Sequence, residues 1–213
     1  YFALALGLLF SLSSAHAVPS FSRQTGASCS QCHTQSFGPN LTPFGRDFKL
    51  SGYTLSGGSG INAKLPAISA MVMGSFTNTK NDQNTADLPS GSSKNDNFTF
   101  DQASLFYAGK IYDKLGALSQ LTYDGGADAL VLDNTDIRFA NDLELNDMPV
   151  NYGISLNNNP TVQDLWNTSA WGFPYAKSSV QPSPSATALI DGGLASQGGG
   201  ATAYALINNC LLY

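Results

Sequence analysis

Apolar and polar side chains alternate along most of the chain from residue 65 onward. A period of two residues is typical of a β-strand whose two faces meet different environments. Six segments carry this pattern in a strong or weaker form: 68–77, 102–111, 116–124, 136–140, 150–157 and 201–207. They predict a mainly β protein whose antiparallel strands are joined by turns.

The connections between the predicted strands alternate in length. Residues 80–97 and 158–200 are long polar loops, whereas residues 112–115 and 146–149 are short turns. Outer-membrane barrels have this asymmetry, with apolar side chains facing lipid and polar ones facing the lumen. The pattern favours such a barrel over a soluble β-sandwich, whose strands also alternate. Because a barrel needs at least about eight strands, the chain is predicted to contain an incomplete outer-membrane β-barrel.

The first 17 residues have the composition of a secretory signal peptide. Residues 3–12 are apolar, and Ala15-His16-Ala17 fits the A-x-A cleavage rule. No starting methionine or basic segment precedes them, so we expect the sequence to be truncated at its N-terminus. Cleavage would make Val18 the first mature residue, remove His16, and place the protein outside the cytoplasm.

Cys29, Cys32 and His33 form a C-x-x-C-H motif, which is the attachment signal of c-type haem. Two thiols add to the vinyl groups on one edge of the porphyrin, and the next residue supplies an imidazole to the iron. A structural zinc site and a thiol redox pair are the alternatives. Zinc needs four ligands, and a thioredoxin-like pair needs a βαβ context, neither of which the sequence shows. The motif therefore predicts one covalently bound haem c with His33 as an iron ligand, and Cys210 has no evident partner.

A short helix is predicted directly after the motif. Thr42 can cap this helix, and Pro43 suits its first position. Phe44 and Phe48 then share one face as candidate haem-binding residues, although an ordinary amphipathic helix would show the same pattern.

The sequence is predicted to divide into three parts: a signal peptide (1–17), a monohaem cytochrome c domain (18–60) and a partial porin-like barrel (61–213). The middle part is too small to be stable by itself. It needs the haem as its core, or a larger body against which to dock.

The second axial ligand of the iron is expected to be methionine, solvent or a group from outside the chain. His33 is the only histidine left after the expected cleavage, so a second histidine ligand within the chain is excluded. Met71 and Met73 lie on the polar face of the first predicted strand, which would face the lumen, whereas Met148 lies in a short turn. Because thioethers commonly ligate c-type haem, Met71 or Met73 is the predicted ligand. The same side chains would also serve to fill space against a docked domain.

Four aromatic residues cluster in the longest loop: Trp166, Trp171, Phe173 and Tyr175. Such a cluster is typical of the aromatic girdle at a membrane interface or of ordinary loop packing. The alternative is that these side chains fold into the lumen and line an electron path.

Several longer stretches carry more specific information. They are V-P-S-F-S-R-Q-T-G before the haem motif, L-T-P-F-G-R-D-F-K-L-S-G-Y at 41–53, A-S-L-F-Y-A-G-K-I at 103–111, Y-G-I-S-L-N-N-N-P-T-V-Q-D-L-W-N at 152–167 and W-G-F-P-Y at 171–175. Together they resemble the fused monohaem cytochrome c–porin family of bacterial outer-membrane iron oxidases. The family's barrel is larger than this segment, so the resemblance implies an N-terminal fragment.

The resemblance implies electron transfer at the outer membrane. An extracellular donor, such as Fe(II), would be oxidised, and a periplasmic carrier would accept the electrons. The haem domain would lie on the periplasmic side or in the barrel lumen. Lipid of the outer membrane would surround the barrel. A soluble periplasmic monohaem carrier with an attached β domain and a porin-like binding barrel with a structural haem remain alternatives. A net charge of -5 gives no reason to expect nucleic acid as a partner.

Overall fold

The computed structural model describes residues 18–35, 38–57, 66–169, 178–180, 189–195 and 198–213. Seven strands form one antiparallel sheet, and their spatial order follows the chain order. They are β1 (Ile68–Thr77), β2 (Asn97–Tyr112), β3 (Leu115–Asp124), β4 (Ala129–Leu145), β5 (Met148–Asn157), β6 (Gly200–Ile207) and β7 (Cys210–Leu212). The predicted mainly β, antiparallel fold is confirmed. The predicted signal peptide, residues 1–17, lies outside the described residues.

Short helices accompany the sheet, and three of those in the described ranges precede β1. They are α1 (Pro19–Thr25), α2 (Cys29–Cys32), α3 (Pro43–Leu50), α4 (Pro160–Gln163) and α5 (Leu189–Leu194), with a 3-10 turn at Thr85–Asp87. The predicted cap of α3 is confirmed, because Thr42 Oγ1 accepts a hydrogen bond from the backbone N–H of Gly45 at 3.2 Å. Within the described ranges, none of the helices has the length and apolar character needed to cross a bilayer.

The connections follow the predicted alternation. One end of the sheet carries the connections 78–96, 125–128 and 158–199, and the opposite end carries the two-residue turns 113–114, 146–147 and 208–209. Two strands are longer than the predicted segments 102–111 and 136–140. β2 has 16 residues and β4 has 17, and Met148 belongs to β5 rather than to a turn.

The two faces of the sheet differ in chemistry. One face, here called the covered face, lies under the N-terminal segment (residues 18–57) and is largely polar. Its buried polar side chains include Ser69, Ser104, Gln120, Thr122, Asn134, Asp136, Arg138, Ser155 and Asn157. The other face, here called the open face, presents exposed apolar side chains, and Val72 and Phe98 are 70% and 80% exposed. Antiparallel sheets in water usually do the reverse and bury their apolar face.

The N-terminal segment docks closely on the covered face. The Tyr53 hydroxyl donates to Asp136 Oδ2 at 2.6 Å, and the Tyr204 hydroxyl donates to the Leu50 carbonyl at 2.6 Å. A Cβ added at Gly116 of β3 would lie 2.2 Å from the carbonyl oxygen of Gly52, so the backbones meet directly at this position. The segment therefore uses the sheet as the body against which its small core is buried.

Candidate functional site

A cavity lies between the N-terminal segment, the covered face of β2–β4, and the chain around α4. It encloses about 940 Å³ of space not occupied by atoms, part of which is open solvent at its mouth. Most of its wall is apolar or aromatic, including Val18, Phe21, Leu41, Phe48, Tyr53, Phe106, Leu118 and Val162. All three residues of the C-x-x-C-H motif line it as well. The structure thus brings the motif to a largely apolar cavity.

The thiols of the motif are held together on one helical turn. α2 spans only Cys29–Cys32, and Gln31 Oε1 stabilises its start by accepting the Ser28 N–H at 2.7 Å. Cys29 and Cys32 are half-buried, are not joined by a disulfide, and are three residues apart on the helix surface. His33 follows as the residue that ends α2, with its N–H donating to the Cys29 carbonyl at 2.8 Å.

The surroundings of His33 favour a neutral imidazole. Burial lowers the pKa of His33, and a hydrogen bond to the backbone of Asn40 works in the opposite direction. A neutral imidazole has a free lone pair, which metal ligation requires. Burial, and secondarily the neighbouring Cys29, raise the pKa of the Cys32 thiol. His33 Nδ1 is buried without a hydrogen-bond partner.

Gly45 permits the close approach of α3 to α2. A Cβ at this position would lie 2.2 Å from the backbone oxygen of Cys32, which is closer than any real side chain comes. The Thr42 hydroxyl also donates to the Gln31 carbonyl, so α3 is tied to the motif at its N-terminal end. The contact between α2 and α3 therefore explains the glycine in the F-G-R sequence after Pro43, because a side chain there would separate the two helices.

We expect Gly45→Ala to destabilise the fold by about 1–3 kcal/mol, because the new methyl group overpacks the contact with Cys32. Helix propensity alone would favour alanine by up to about 1 kcal/mol, so a loss of stability has to come from that contact. Gly193→Ala in α5 is the matched control, since a Cβ at Gly193 meets nothing within 4 Å. Urea unfolding of both variants measures the difference. Equal stability of the two variants would contradict the proposed tight contact.

Three aromatic rings form one wall of the cavity. Phe21 lies 5.0 Å from Phe48 and 5.3 Å from Tyr53, and the rings of Phe48 and Tyr53 are 5.9 Å apart. The predicted cavity residue Phe48 lines this wall and is buried. Phe44 does not line it and is 43% exposed. Phe44 lies in the first turn of α3, where Gly45 occupies the position against Cys32.

Met71 and Met73 are half-buried on β1, in alternation with exposed Ala70 and Val72. They share a face with Ser69, as the sequence predicted, but they are not among the residues that line the cavity. The structure does not bring either sulfur to the cavity wall with His33. Iron ligation by Met71 or Met73 therefore stays a prediction.

Trp166 is the one residue of the predicted aromatic cluster in the described part of the chain. It packs against the N-terminal segment, with the Arg46 guanidinium 4.6 Å from its ring centroid. Trp171, Phe173 and Tyr175 lie outside the described residues.

Sequence reasoning missed the polar part of the cavity wall. Lys49 and Asn167 both line the cavity, and the Lys49 ammonium donates a hydrogen bond to Asn167 Oδ1. They are 118 residues apart in the sequence. The available signal was the lysine in the apolar stretch F-K-L. A lysine on a buried helix face needs a partner, because lysine is almost never fully buried without one.

The donor groups of the cavity suit a haem better than a bare metal ion. In the part of the chain that the structure describes, no three His, Cys, Asp or Glu side chains are grouped to hold a metal. A haem brings its own ring nitrogens, so one imidazole beside two thiols is a sufficient protein contribution. The cavity also supplies apolar and aromatic walls for a flat macrocycle. No family model, curated protein or solved structure matches this chain.

Proposed function

We propose that this chain carries one haem c on Cys29 and Cys32 and transfers electrons at the outer membrane. The observation that carries the proposal is the convergence of both thiols and His33 on one apolar cavity. Covalent attachment through two thioethers needs unpaired thiols about one helical turn apart, and Cys29 and Cys32 meet that requirement.

The roles of the residues follow from their positions. Cys29 and Cys32 would hold the porphyrin edge, and the neutral imidazole of His33 would ligate the iron. Phe21, Phe48 and the other apolar residues of the wall exclude water from the ring, which raises the energetic cost of placing charge there. When bound, haem c supplies one-electron oxidation and reduction at its iron.

The open face of the sheet supports a membrane location. Large apolar side chains on β1, β2 and β4 are exposed there, whereas the charged pair Asp136 and Arg138 is buried on the covered face. Lipid is the environment in which this inverted arrangement is stable. The proposal therefore includes strands of an outer-membrane barrel, with the N-terminal segment on its inner side.

The position of the cavity suits electron transfer between the two ends of the sheet. The N-terminal segment contacts the sheet near the short turns, where Gln24 Oε1 accepts the Lys110 N–H at 2.8 Å. The cavity is also lined by Val162 and Asn167, which belong to the longest connection, at the opposite end of the sheet. An extracellular donor such as Fe(II) would approach from the long-loop end, and a periplasmic carrier from the short-turn end.

Expression in a bacterium that matures c-type haem tests the proposal. We expect the haem-stained chain in the outer-membrane fraction, soluble only with detergent, and its haem to be reduced by Fe(II) in stopped-flow mixing. Haem content is measured as the pyridine haemochrome. A haem-loaded chain that remains in the periplasm without detergent would contradict the membrane part of the proposal, and absence of covalent haem would contradict all of it.

A further inference from the structure

Lys49 is a buried cation in the wall of the cavity. It is only 4% exposed, and it is the one lysine or arginine among the described residues that line the cavity. Its ammonium donates to the Asp164 carbonyl at 2.6 Å and to Asn167 Oδ1. Both acceptors are neutral, so the hydrogen bonds do not neutralise the charge.

No carboxylate of the described residues forms an ion pair with Lys49, since the one ion pair found there joins Arg138 and Asp136. The Asp164 carboxylate is engaged elsewhere. Its Oδ2 accepts the N–H groups of Thr168 and Ser169, both at 2.7 Å, and its Oδ1 accepts the Trp166 N–H at 3.1 Å. A buried ammonium without a paired anion is energetically costly.

Three charged side chains act on Lys49 from the elements packed against it. They are Asp164 in the long connection and Asp136 and Arg138 on β4. Burial, with a smaller contribution from Arg138, lowers the pKa of Lys49 to about 7, although the two aspartates partly oppose the shift. The two aspartates balance the two cations, so the main cost of charge on Lys49 is its burial and not a local excess of positive charge.

Lys49 lies along α3 from the attachment point of the motif. Gly45 touches Cys32, and Lys49 follows one helical turn later, about 6 Å further along the axis. Both residues line the cavity. In a haem, the two carboxylates are on the edge opposite the vinyl groups that thiols attack. The backbone of Lys49 is therefore displaced along this wall from the residue that contacts Cys32.

The neighbouring amides are already occupied with each other. Gln120 Oε1 accepts from Asn134 Nδ2 at 3.1 Å, and Gln120 Nε2 donates to Ser104 and Thr122. Asn167 Nδ2 donates to the Pro39 carbonyl at 2.8 Å, which fixes its oxygen towards Lys49. Lys49 is left as the group of this wall that can pair with an anion.

We propose that Lys49 is the counter-ion of a haem propionate in this cavity. The proposal rests on the proposed attachment of haem at Cys29 and Cys32. It adds a specific contact for the ligand's carboxylate, with Asn167 and Asp164 as the residues that position the ammonium.

The test compares haem-loaded Lys49→Met and Lys49→Gln variants with the natural chain at pH 9. An unpaired Lys49 would be mostly neutral at this pH, whereas pairing with a propionate would keep it charged. We then expect both substitutions to favour the oxidised haem by on the order of tenfold, about 59 mV in reduction potential. The propionate bending band in resonance Raman spectra should shift as well. Lys80→Met, in an exposed loop, is the matched control and should change neither quantity.

Each outcome bears on one proposal. If the variants carry haem with an unchanged potential and propionate band, Lys49 is not the propionate partner. If they lose an axial-ligand signature in the absorption or electron paramagnetic resonance spectrum, Lys49 ligates the iron instead, which also overturns the proposal. Lys49→Gln keeps a hydrogen-bond donor for the Asp164 carbonyl, so the test holds if Lys49→Met does not fold. Failure of the natural chain to bind covalent haem would instead refute the proposed function.

Discussion

We expect a chain in which both Cys29 and Cys32 are replaced by serine to carry no covalently bound haem. Serine has a similar shape to cysteine, and Gly45 contacts the Cys32 backbone and not its side chain, so α2 and this contact should persist. A hydroxyl does not form the thioether bond to a vinyl group. Haem staining after denaturing electrophoresis, together with the mass of the intact chain, measures the loss. Each single variant should keep at most one thioether bond.

Cys210→Ser is the matched control for this experiment. Cys210 begins β7, is exposed, and is not among the residues that line the cavity. We expect this variant to carry the same amount of haem as the natural chain. Loss of haem from Cys210→Ser, or retention of covalent haem by the double variant, would contradict the assignment of the two thiols.

The same experiment distinguishes haem attachment from a thiol redox pair and from a zinc site. A thiol redox pair would leave the natural chain without haem and with two thiols that oxidise to a disulfide. A zinc site would need further ligands near Cys29 and Cys32, and the described residues provide no such cluster. The apolar wall of the cavity has no role in either of these two sites.

The alternation of side chains predicted which residues share a face, but not where the longer strands begin. In β2, Thr99 and Asp101 precede a change of phase, after which Gln102 and Ser104 lie on the covered face. The pairing with β1 shifts between Met73 and Gly74, which is a bulge that places an extra residue in β2. A bulge reverses the apparent period, so the predicted strand began only at residue 102, where the second phase starts.

The local part of the site was predictable, and the distant part was not. The C-x-x-C-H motif, the cap at Thr42 and the inward Phe48 all follow from spacings within 20 residues. The contact of Lys49 with Asn167 depends on how a long connection returns over the sheet, and no periodicity encodes that path. Phe44 shows the limit of helical spacing, since two residues on one face of a short helix can still differ in burial.

The charged residues of the covered face are a further case in which the sequence pattern did not predict burial. Asp136 and Arg138 are two residues apart on β4, so strand alternation places them on one face. The structure adds that both are fully buried, with Arg138 Nη2 2.6 Å from Asp136 Oδ2. Arg138 also lies 5.5 Å from the ring centroids of both Tyr53 and Tyr204. The pair thus holds the N-terminal segment to the sheet.

We expect Asp136→Leu to destabilise the folded chain by about 3–5 kcal/mol, because it leaves Arg138 as an uncompensated buried charge. It also removes the acceptor of the Tyr53 and Ser155 hydroxyls, which donate to Asp136 at 2.6 and 2.5 Å. Urea unfolding in detergent, followed by tryptophan fluorescence, measures the free energy. Asp142→Leu is the matched control, since Asp142 lies on the same strand, is exposed, and bonds only to Asn151 among the described hydrogen bonds.

A second substitution identifies the buried charge as the cause. In the double variant Asp136→Leu with Arg138→Met, no unpaired charge remains, and apolar replacement of a buried ion pair is often neutral or stabilising. We therefore expect the double variant to be more stable than Asp136→Leu alone, with a coupling energy well above the roughly 0.5 kcal/mol expected for independent sites. Additive losses from the two substitutions would show that Asp136 acts through its hydrogen bonds to Tyr53 and Ser155, and not by neutralising Arg138.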